Sequence, residues 1–357
     1  MDMKFFFDAR WTRTDYHDGI SRYTSGLIEG FIAQNLPVTA LICDKKQLNL
    51  LPKGVDYLLI HHPISIKELF VARTLNKHGA DVVFSPLQTM GFWGRKYKLI
   101  LTLQDIIYYR HPKPPTNLPW YVRVVWRLFH MAYWPQRLLL NRADHIATVS
   151  KTSKRFIEEM GLTKNETTVI YNATSSAIEA GQVKGKKTKN IIFMGSFMPY
   201  KNAETLIRAM EFLPKGYTLQ LLSKITSGRK EELEQIVPKG THVVFKNGVS
   251  EAEYAQLLQN AHCLATASKE EGFGLPIVEA HTYGTPVVCT NMEIFHEVAG
   301  TGALFCDADS PKAFAGAIRS LENSRTRKRL TDAGYAQAQT FTWAKSAQTL
   351  WDTAKQL

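Results

Sequence analysis

The chain has 357 residues, 45% of them apolar and 21% charged, which excludes intrinsic disorder and predicts two domains of about 150–180 residues rather than one core. Lysine and arginine number 44 against 32 aspartate and glutamate, and the formal charge of +12 implies an anionic partner: nucleic acid, acidic lipid or a phosphorylated substrate. No apolar run is long enough to cross a bilayer, and Met1-Asp2-Met3-Lys4-Phe5 lacks the basic-then-apolar shape of a signal peptide, so a cytoplasmic protein is expected.

Taken in chain order, apolar runs predict strands at 3–8, 38–43, 57–60, 82–85, 99–103, 145–149 and 168–171. Helical periodicity lies between several of them, at 22–33 and 153–160 for example. A polar, basic and glycine-containing stretch follows over 173–190 and reads as an interdomain linker, placed at 176–189. The alternation then restarts, with strands at 190–194, 218–222, 242–245, 262–267, 286–290 and 302–305 and helices at 203–211, 229–236 and 251–260. A last helix follows Trp343 with no strand after it. The fold class is therefore α/β, with two Rossmann-like domains facing across a ligand cleft: 1–175 together with 342–357, and 190–341. Cys43, Cys263, Cys289 and Cys306 are widely spaced, three of them in apolar strand-like runs, and read as small buried hydrophobes in a reducing compartment. Neither a GxGxxG fingerprint nor a Walker A loop is present, which argues against a dinucleotide oxidoreductase and a P-loop enzyme.

The segment Lys269-Glu270-Glu271-Gly272-Phe273-Gly274-Leu275-Pro276-Ile277-Val278-Glu279-Ala280 carries the most chemistry. It follows an apolar strand and opens a helix at Pro276, so a glycine turn and a helix N-terminus offer backbone N–H groups to an anion. Glu271 sits on the turn and Glu279 about two helical turns further in, a spacing suited to an extended ligand such as a sugar nucleotide. Among apolar neighbours a stray charge at Glu279 would be costly, although a surface carboxylate in the first turns of a helix is the plain alternative. Gly195-Ser196-Phe197-Met198-Pro199-Tyr200-Lys201-Asn202 follows the first strand of the second half and puts Lys201 beside another helix start, where it is either a solvated lysine or a partner for a diphosphate. In Asn247-Gly248-Val249-Ser250, Ser250 reads first as a helix cap, and Ser150 has the same reading. The first half contributes Gly19, in Asp18-Gly19-Ile20-Ser21-Arg22-Tyr23, and Gln104-Asp105 at the end of a strand, where Asp105 is equally a loop cap.

Residues 120–137, from Trp120 to Arg137, hold three of the seven tryptophans, with Arg123, Arg127, His130 and Arg137 on one helical stripe. Two readings stay open: a helix lying on an anionic membrane surface, or a buried core helix with one polar edge. The preceding His111-Pro112-Lys113-Pro114-Pro115 reads as an exposed acceptor-side loop.

The two glutamates around Gly-Phe-Gly-Leu-Pro, with Gly-Ile-Ser-Arg-Tyr near the start, the Thr148-Val149-Ser150 helix start, the glycine–lysine loop, Gly284-Thr285-Pro286-Val287-Val288 and the terminal Trp343 helix, resemble the family-4 (group 1) retaining glycosyltransferases of GT-B fold over nearly the whole chain. The resemblance implies a hexosyltransferase whose substrates are a nucleotide-sugar donor and a saccharide or lipid-linked glycan acceptor, with no metal and no other cofactor. GDP-mannose is the favoured donor; the alternatives are a UDP-sugar-dependent enzyme of the same fold, a soluble polysaccharide elongase and, remotely, a basic nucleic-acid-binding protein, which the dispersed positive residues and the lack of a nucleic-acid motif disfavour. A peripheral place on the inner face of the plasma membrane is implied, and the last helix is expected to brace the first domain.

By the same resemblance Glu271 binds the donor sugar and Glu279 the ribose, while the N–H groups of Phe273, Gly274 and Leu275 hold sugar and phosphate oxygens. Lys201, with Gly195 and Ser196, holds the diphosphate. Gly248 and Val249 contact the base, and Gly19, with Arg22 behind it, lines the donor phosphates. Gln104 stands where the family commonly has His, which speaks against a general base there, and Asp105 follows it. The family also often has Arg where this chain has Ser196 or Tyr200, so less cationic help is expected for the leaving group unless another arginine substitutes. The candidate catalytic residues are thus Glu271, Lys201, Gln104 and Asp105.

Overall fold

Apolar runs alternating with amphipathic segments build two parallel sheets, one in each half of the chain. The computed structural model describes residues 3–110, 120–174 and 188–357. The chain divides into one unit of Met1–Ser175 with Thr342–Leu357 and a second of Ser176–Phe341. Most of the linker expected at 176–189, and the loop expected at 111–115, lie outside the described residues.

In the first unit the strands are β1 (Phe5–Asp8), β2 (Thr39–Ile42), β3 (Asp56–Leu59), β4 (Val82–Ser85), β5 (Lys98–Thr102), β6 (His145–Thr148) and β7 (Thr167–Val169). They form one sheet in the order β3-β2-β1-β4-β5-β6-β7 with every pair parallel. Parallel strands covered on both faces are apolar at successive positions, as Phe5-Phe6-Phe7 in β1 and Val82-Val83-Phe84 in β4 illustrate. At the edge, β3 is mostly exposed. The helices are α1 (Gly19–Ala33), α2 (Val71–Lys77), α3 (Ile107–Arg110), α4 (Trp120–His130), α5 (Trp134–Leu140) and α6 (Lys151–Glu159). Local capping fixes where two of them begin: the Ser21 amide donates to Asp18 Oδ1 at 2.9 Å, and the Ser153 amide to Ser150 Oγ at 3.0 Å.

The second unit repeats the plan. Its helices are α7 (Ala203–Ala209), α8 (Ser227–Glu234), α9 (Glu251–Asn260), α10 (Leu275–Thr282), α11 (Glu293–Ala299), α12 (Pro311–Ser320) and α13 (Ser324–Ala338). Its strands are β8 (Asn190–Phe193), β9 (Thr218–Leu221), β10 (His242–Phe245), β11 (Cys263–Thr266), β12 (Val287–Thr290) and β13 (Ala303–Cys306), in the parallel order β10-β9-β8-β11-β12-β13. Cys263, Cys289 and Cys306 are buried in three neighbouring strands, and burial pushes the Cys263 thiol up to about 12, so it behaves as a small hydrophobe. Helices α10 and α13 cross closely because Gly334 presents no side chain: a Cβ there would lie 2.6 Å from His281 Cδ2.

After Phe341 the chain returns to the first unit as α14 (Trp343–Lys355). It lies against α1 where Gly26 and Gly30 leave a groove; a Cβ on Gly26 would fall 2.0 Å from Trp343 Cε2, and one on Gly30 2.3 Å from the Trp343 carbonyl oxygen. Trp351 meets Phe31 edge-on at 6.1 Å, and Ser346 Oγ donates to the Tyr171 carbonyl at 2.8 Å.

In each sheet the strand order reverses once, between β1 and β4 in the first unit and between β8 and β11 in the second. The loops leaving the carboxyl ends of those strands diverge and open a crevice where ligands of such sheets bind. The Gly195–Lys201 loop leaves β8, and the Glu271 turn leaves β11.

Candidate functional site

The two loops at the β8/β11 reversal are tied together by main chain and side chains. The Lys269 amide donates to the Tyr200 carbonyl at 2.7 Å. Asn202, left-handed with φ 52°, donates its side-chain amide to the carbonyls of Ala267 at 3.1 Å and Ala308 at 2.8 Å. A 3₁₀ turn over Pro199–Lys201 delivers Lys201 to the entrance of α7. There Lys201 Nζ lies 2.5 Å from Glu271 Oε1, which also accepts from Ser268 Oγ at 3.1 Å. Both side chains of the pair are largely shielded, 16% and 14% exposed. The lysine expected to face a diphosphate and the glutamate expected to face a sugar thus meet across 70 residues of sequence. Glu271 is held by its partners and is not the flexible carboxylate that a glycine turn suggests.

Gly274 has φ 99°, a left-handed conformation open to glycine, and precedes α10 directly. Pro276 stands in the first turn of α10, where a missing N–H costs nothing, so Phe273, Gly274 and Leu275 form the junction of turn and helix. The Phe273 ring points away into the core and meets Phe341 edge-on at 5.4 Å. Five residues past Gly274, Glu279 is buried, not a surface carboxylate, and accepts from Tyr254 Oη at 3.0 Å. Tyr254 lies on α9, which starts at Ser250, whose Oγ accepts from the Glu253 amide at 3.1 Å. Sequence reasoning did not single out Tyr254. Its one signal was an aromatic residue with a polar tip on the inner face of a helix.

Asn247 and Gly248, with φ 56° and 105°, turn the chain after β10, and the Gly248 amide donates to the Leu222 carbonyl at 2.8 Å. A Cβ on Gly248 would lie 3.1 Å from Lys224 Cγ. On the other side the Gly195 amide donates to Ser223 Oγ at 3.2 Å. The loop after β9 therefore sits between the glycine–lysine loop, with exposed Ser196, and the Gly248-Val249 turn. An arginine does reach the first of these loops: Arg229 Nε donates to the Phe197 carbonyl at 3.1 Å. Its guanidinium is already committed to Glu204 and Glu232.

In the first unit the expected residues take structural roles as well. Gly19 is the first residue of α1 and not a left-handed turn residue, and a Cβ there would meet nothing within 4 Å. Gln104 Nε2 donates to the Pro86 carbonyl at 3.0 Å, fastening the β5 end to the β4 loop. Asp105 Oδ1 accepts from the Ile107 amide at 2.9 Å and so caps α3.

The segment expected as one helix over 120–137 is two helices, α4 and α5, broken at 131–133. Arg137 leaves the proposed basic stripe: its Nε and Nη2 donate to the carbonyls of Gly161 and Met160 at 2.9 and 2.8 Å. The His130 side chain lies outside the described residues. The buried-core reading fails, because Trp120 is 76% and Leu128 62% exposed, with Val124 exposed between them at helical spacing and Met131, Trp134 and Leu138 exposed beyond. Arg123 and Arg127 flank that stripe with no ion-pair partner among the described residues. No helix among the described residues is long and apolar enough to cross a membrane.

Residues 175–337 match the family described as glycosyl transferases group 1, and residues 17–176 match glycosyltransferase family 4. Among curated proteins the chain is 28% identical over 190 residues to the O-antigen chain mannosyltransferase RfbU of Salmonella typhimurium, covering 52% of this chain and 53% of that protein. It is 32% identical over 159 residues to the O-antigen chain mannosyltransferase B of Escherichia coli, covering 43% and 42%. The chain thus spans about half the length of the curated relatives it matches. Among solved structures it superposes on sucrose-phosphate synthase of Thermosynechococcus elongatus with a TM-score of 0.75 at 17% identity, covering 99% of this chain and 98% of that one. Anabaena HepE in complex with UDP and glucose gives 0.74 at 19% identity, covering 99% and 100%. These likenesses show the GT-B fold.

Proposed function

Because the chain belongs to the group 1 and family 4 glycosyltransferases, we propose that it transfers a hexose from a nucleotide sugar to an acceptor hydroxyl with retention of anomeric configuration. The observation that carries this reading is the meeting of Lys201 and Glu271 at the strand-order reversal of the second sheet, with a buried Glu279 on α10, the helix that follows the Glu271 turn. A nucleotide sugar laid along these loops has its base at Gly248-Val249 and its ribose hydroxyls on Glu279. Its diphosphate lies against Lys201 and the Gly195-Ser196 turn, and its sugar against Glu271 and the amides of Phe273, Gly274 and Leu275. The bond from the anomeric carbon to the phosphate oxygen breaks, and the bond to the acceptor oxygen forms on the same face. The acceptor proton passes to the departing phosphate, so no side-chain base is needed where Gln104 stands. Lys201 meets the leaving-group charge electrostatically without a resident metal. Gly19, Gln104 and Asp105 belong to the acceptor-side unit in this reading.

Mannose is the proposed sugar, supported by the two O-antigen mannosyltransferases among the relatives, and GDP-mannose the proposed donor. A UDP-sugar is the second reading, favoured by HepE's complex with UDP. The exposed Trp120–Val124–Leu128 stripe beside Arg123 and Arg127 supports a lipid-linked acceptor met at an anionic membrane face. The test is a thermal-shift panel of GDP-, UDP- and ADP-sugars. Stabilisation by GDP-mannose above the others supports the donor, stabilisation by a UDP-sugar alone moves the choice, and silence from all of them overturns the enzyme reading.

A further inference from the structure

We propose that Glu271 determines specificity for the intact sugar nucleotide over the nucleoside diphosphate left after transfer, by competing with the diphosphate for Lys201. The inference rests on the donor reading above and concerns how the same site rejects its own product. Glu271 Oε1 stands 2.5 Å from Lys201 Nζ where the β8 and β11 loops meet, and both side chains are largely shielded there. A carboxylate oxygen and a phosphate oxygen are the same kind of acceptor for an ammonium group, so the pair is an internal stand-in for the diphosphate contact. The geometry is imposed by the loops, since the Lys269–Tyr200 backbone bond and the Asn202 amide hold the two segments in register.

When a diphosphate takes Lys201, Glu271 keeps Ser268 Oγ and loses its cation. A largely shielded carboxylate stripped of a partner is costly. A hexose on the diphosphate returns hydroxyl donors to that carboxylate, and a bare nucleoside diphosphate returns none. The pair therefore penalises the product more than the substrate, which favours product departure after each turnover. The recognised chemistry is a nucleoside diphosphate carrying a hexose with hydroxyl groups beside the anomeric carbon.

Calorimetric titration of GDP and GDP-mannose, with UDP and UDP-glucose as a second pair, tests this on the wild type, Glu271→Gln, Glu271→Asp, Lys201→Met and the Glu271→Gln/Lys201→Met double variant. Glu271→Gln is expected to bind the nucleoside diphosphate about 3–10-fold tighter, the scale of a partly shielded ion pair, while the sugar nucleotide gains nothing. Glu271→Asp, which withdraws the carboxylate by one methylene, falls between. In the Lys201→Met background the Gln substitution no longer tightens the nucleoside diphosphate. Loss of affinity for both ligands by similar factors in Glu271→Gln and Glu271→Asp, or tightening that survives in Lys201→Met, overturns the competition. Failure of the wild type to bind any of the four ligands overturns the donor reading and the inference with it.

Discussion

Replacing Tyr254 with Phe removes one hydroxyl from a buried pair and leaves α9 otherwise intact. Tyr254 Oη donates to Glu279 Oε2 at 3.0 Å, and both residues are buried. A hydrogen bond to a charged acceptor contributes about 1.5–3 kcal/mol, and Glu279 keeps further interactions, so a net loss of about 1–2 kcal/mol is expected. For a unit of this size that lowers the Tm by about 2–8 °C. The functional consequence is separable from the stability one. If Glu279 accepts from the ribose hydroxyls, the wild type prefers a ribonucleoside diphosphate over its 2′- or 3′-deoxy analogue by about tenfold or more. Losing the hydroxyl that aims Glu279 narrows this preference by about 3–10-fold, leaving kcat with saturating donor nearly unchanged. Calorimetry with the ribo and deoxy ligands reads the preference, and a thermal melt reads the stability. A lower Tm with an unchanged preference would refute the positioning role of Tyr254, and equal binding of ribo and deoxy ligands by the wild type would refute Glu279 as the ribose residue.

Burial pushes the His281 imidazole from 6.5 down to about 4. The folded value lies below the unfolded one, so protons favour the unfolded state; the contribution is complete above pH 6.5 and is lost toward pH 4, about 3 kcal/mol in all. Urea unfolding of wild type against His281→Gln across that range should show a shallower acid slope in the variant, and identical slopes would contradict the assignment. Gly334→Ala drives a Cβ against the same imidazole and should cost about 1–3 kcal/mol, whereas Gly316→Ala at an exposed position of α12 meets nothing within 4 Å and should stabilise by about 0.4–1 kcal/mol. Denaturant midpoints moving in the same direction for both would refute the packing argument. Trp120→Ser combined with Leu128→Ser should lower co-sedimentation with phosphatidylglycerol vesicles by about tenfold or more while donor binding stays unchanged. Retained vesicle binding would exclude this stripe as the contact.

The strands were legible as apolar runs: 82–85 coincides to the residue with β4, which is buried on both faces, and 242–245 with β10, an edge strand with His242 and Val244 exposed whose Val243-Val244-Phe245 run still marks it. Ser150 and Ser250 were legible as helix caps, whereas α12 and α13, capped by Ser310 and Asn323, went unread, and α1 begins at Gly19 behind Asp18 rather than at 22. The break between α4 and α5 was not, because an unbroken run of Trp, Arg and Val hides a boundary that only the Pro135 position marks. Arg137 looked like part of a basic face, and its true partners are carbonyls at the end of a helix more than twenty residues away. The turn around Glu271 was visible as a motif, whereas its bond to Lys201 spans 70 residues and that of Tyr254 to Glu279 spans 25. Local pattern carries no record of such pairings, which the strand order of the second sheet creates. Gly26 and Gly30, spaced four apart on α1, held an unread signal that something packs closely there; that partner is Trp343.

The central claim is that the second unit holds a nucleotide sugar on Lys201, Glu271 and Glu279. Calorimetric titration of GDP-mannose into the wild type, Lys201→Met and Glu279→Ala tests it most directly. The account predicts saturable one-to-one binding by the wild type, weakened about tenfold or more in each variant, as loss of a charge-assisted contact requires. Binding of equal strength in all three proteins would place the ligand elsewhere and contradict it.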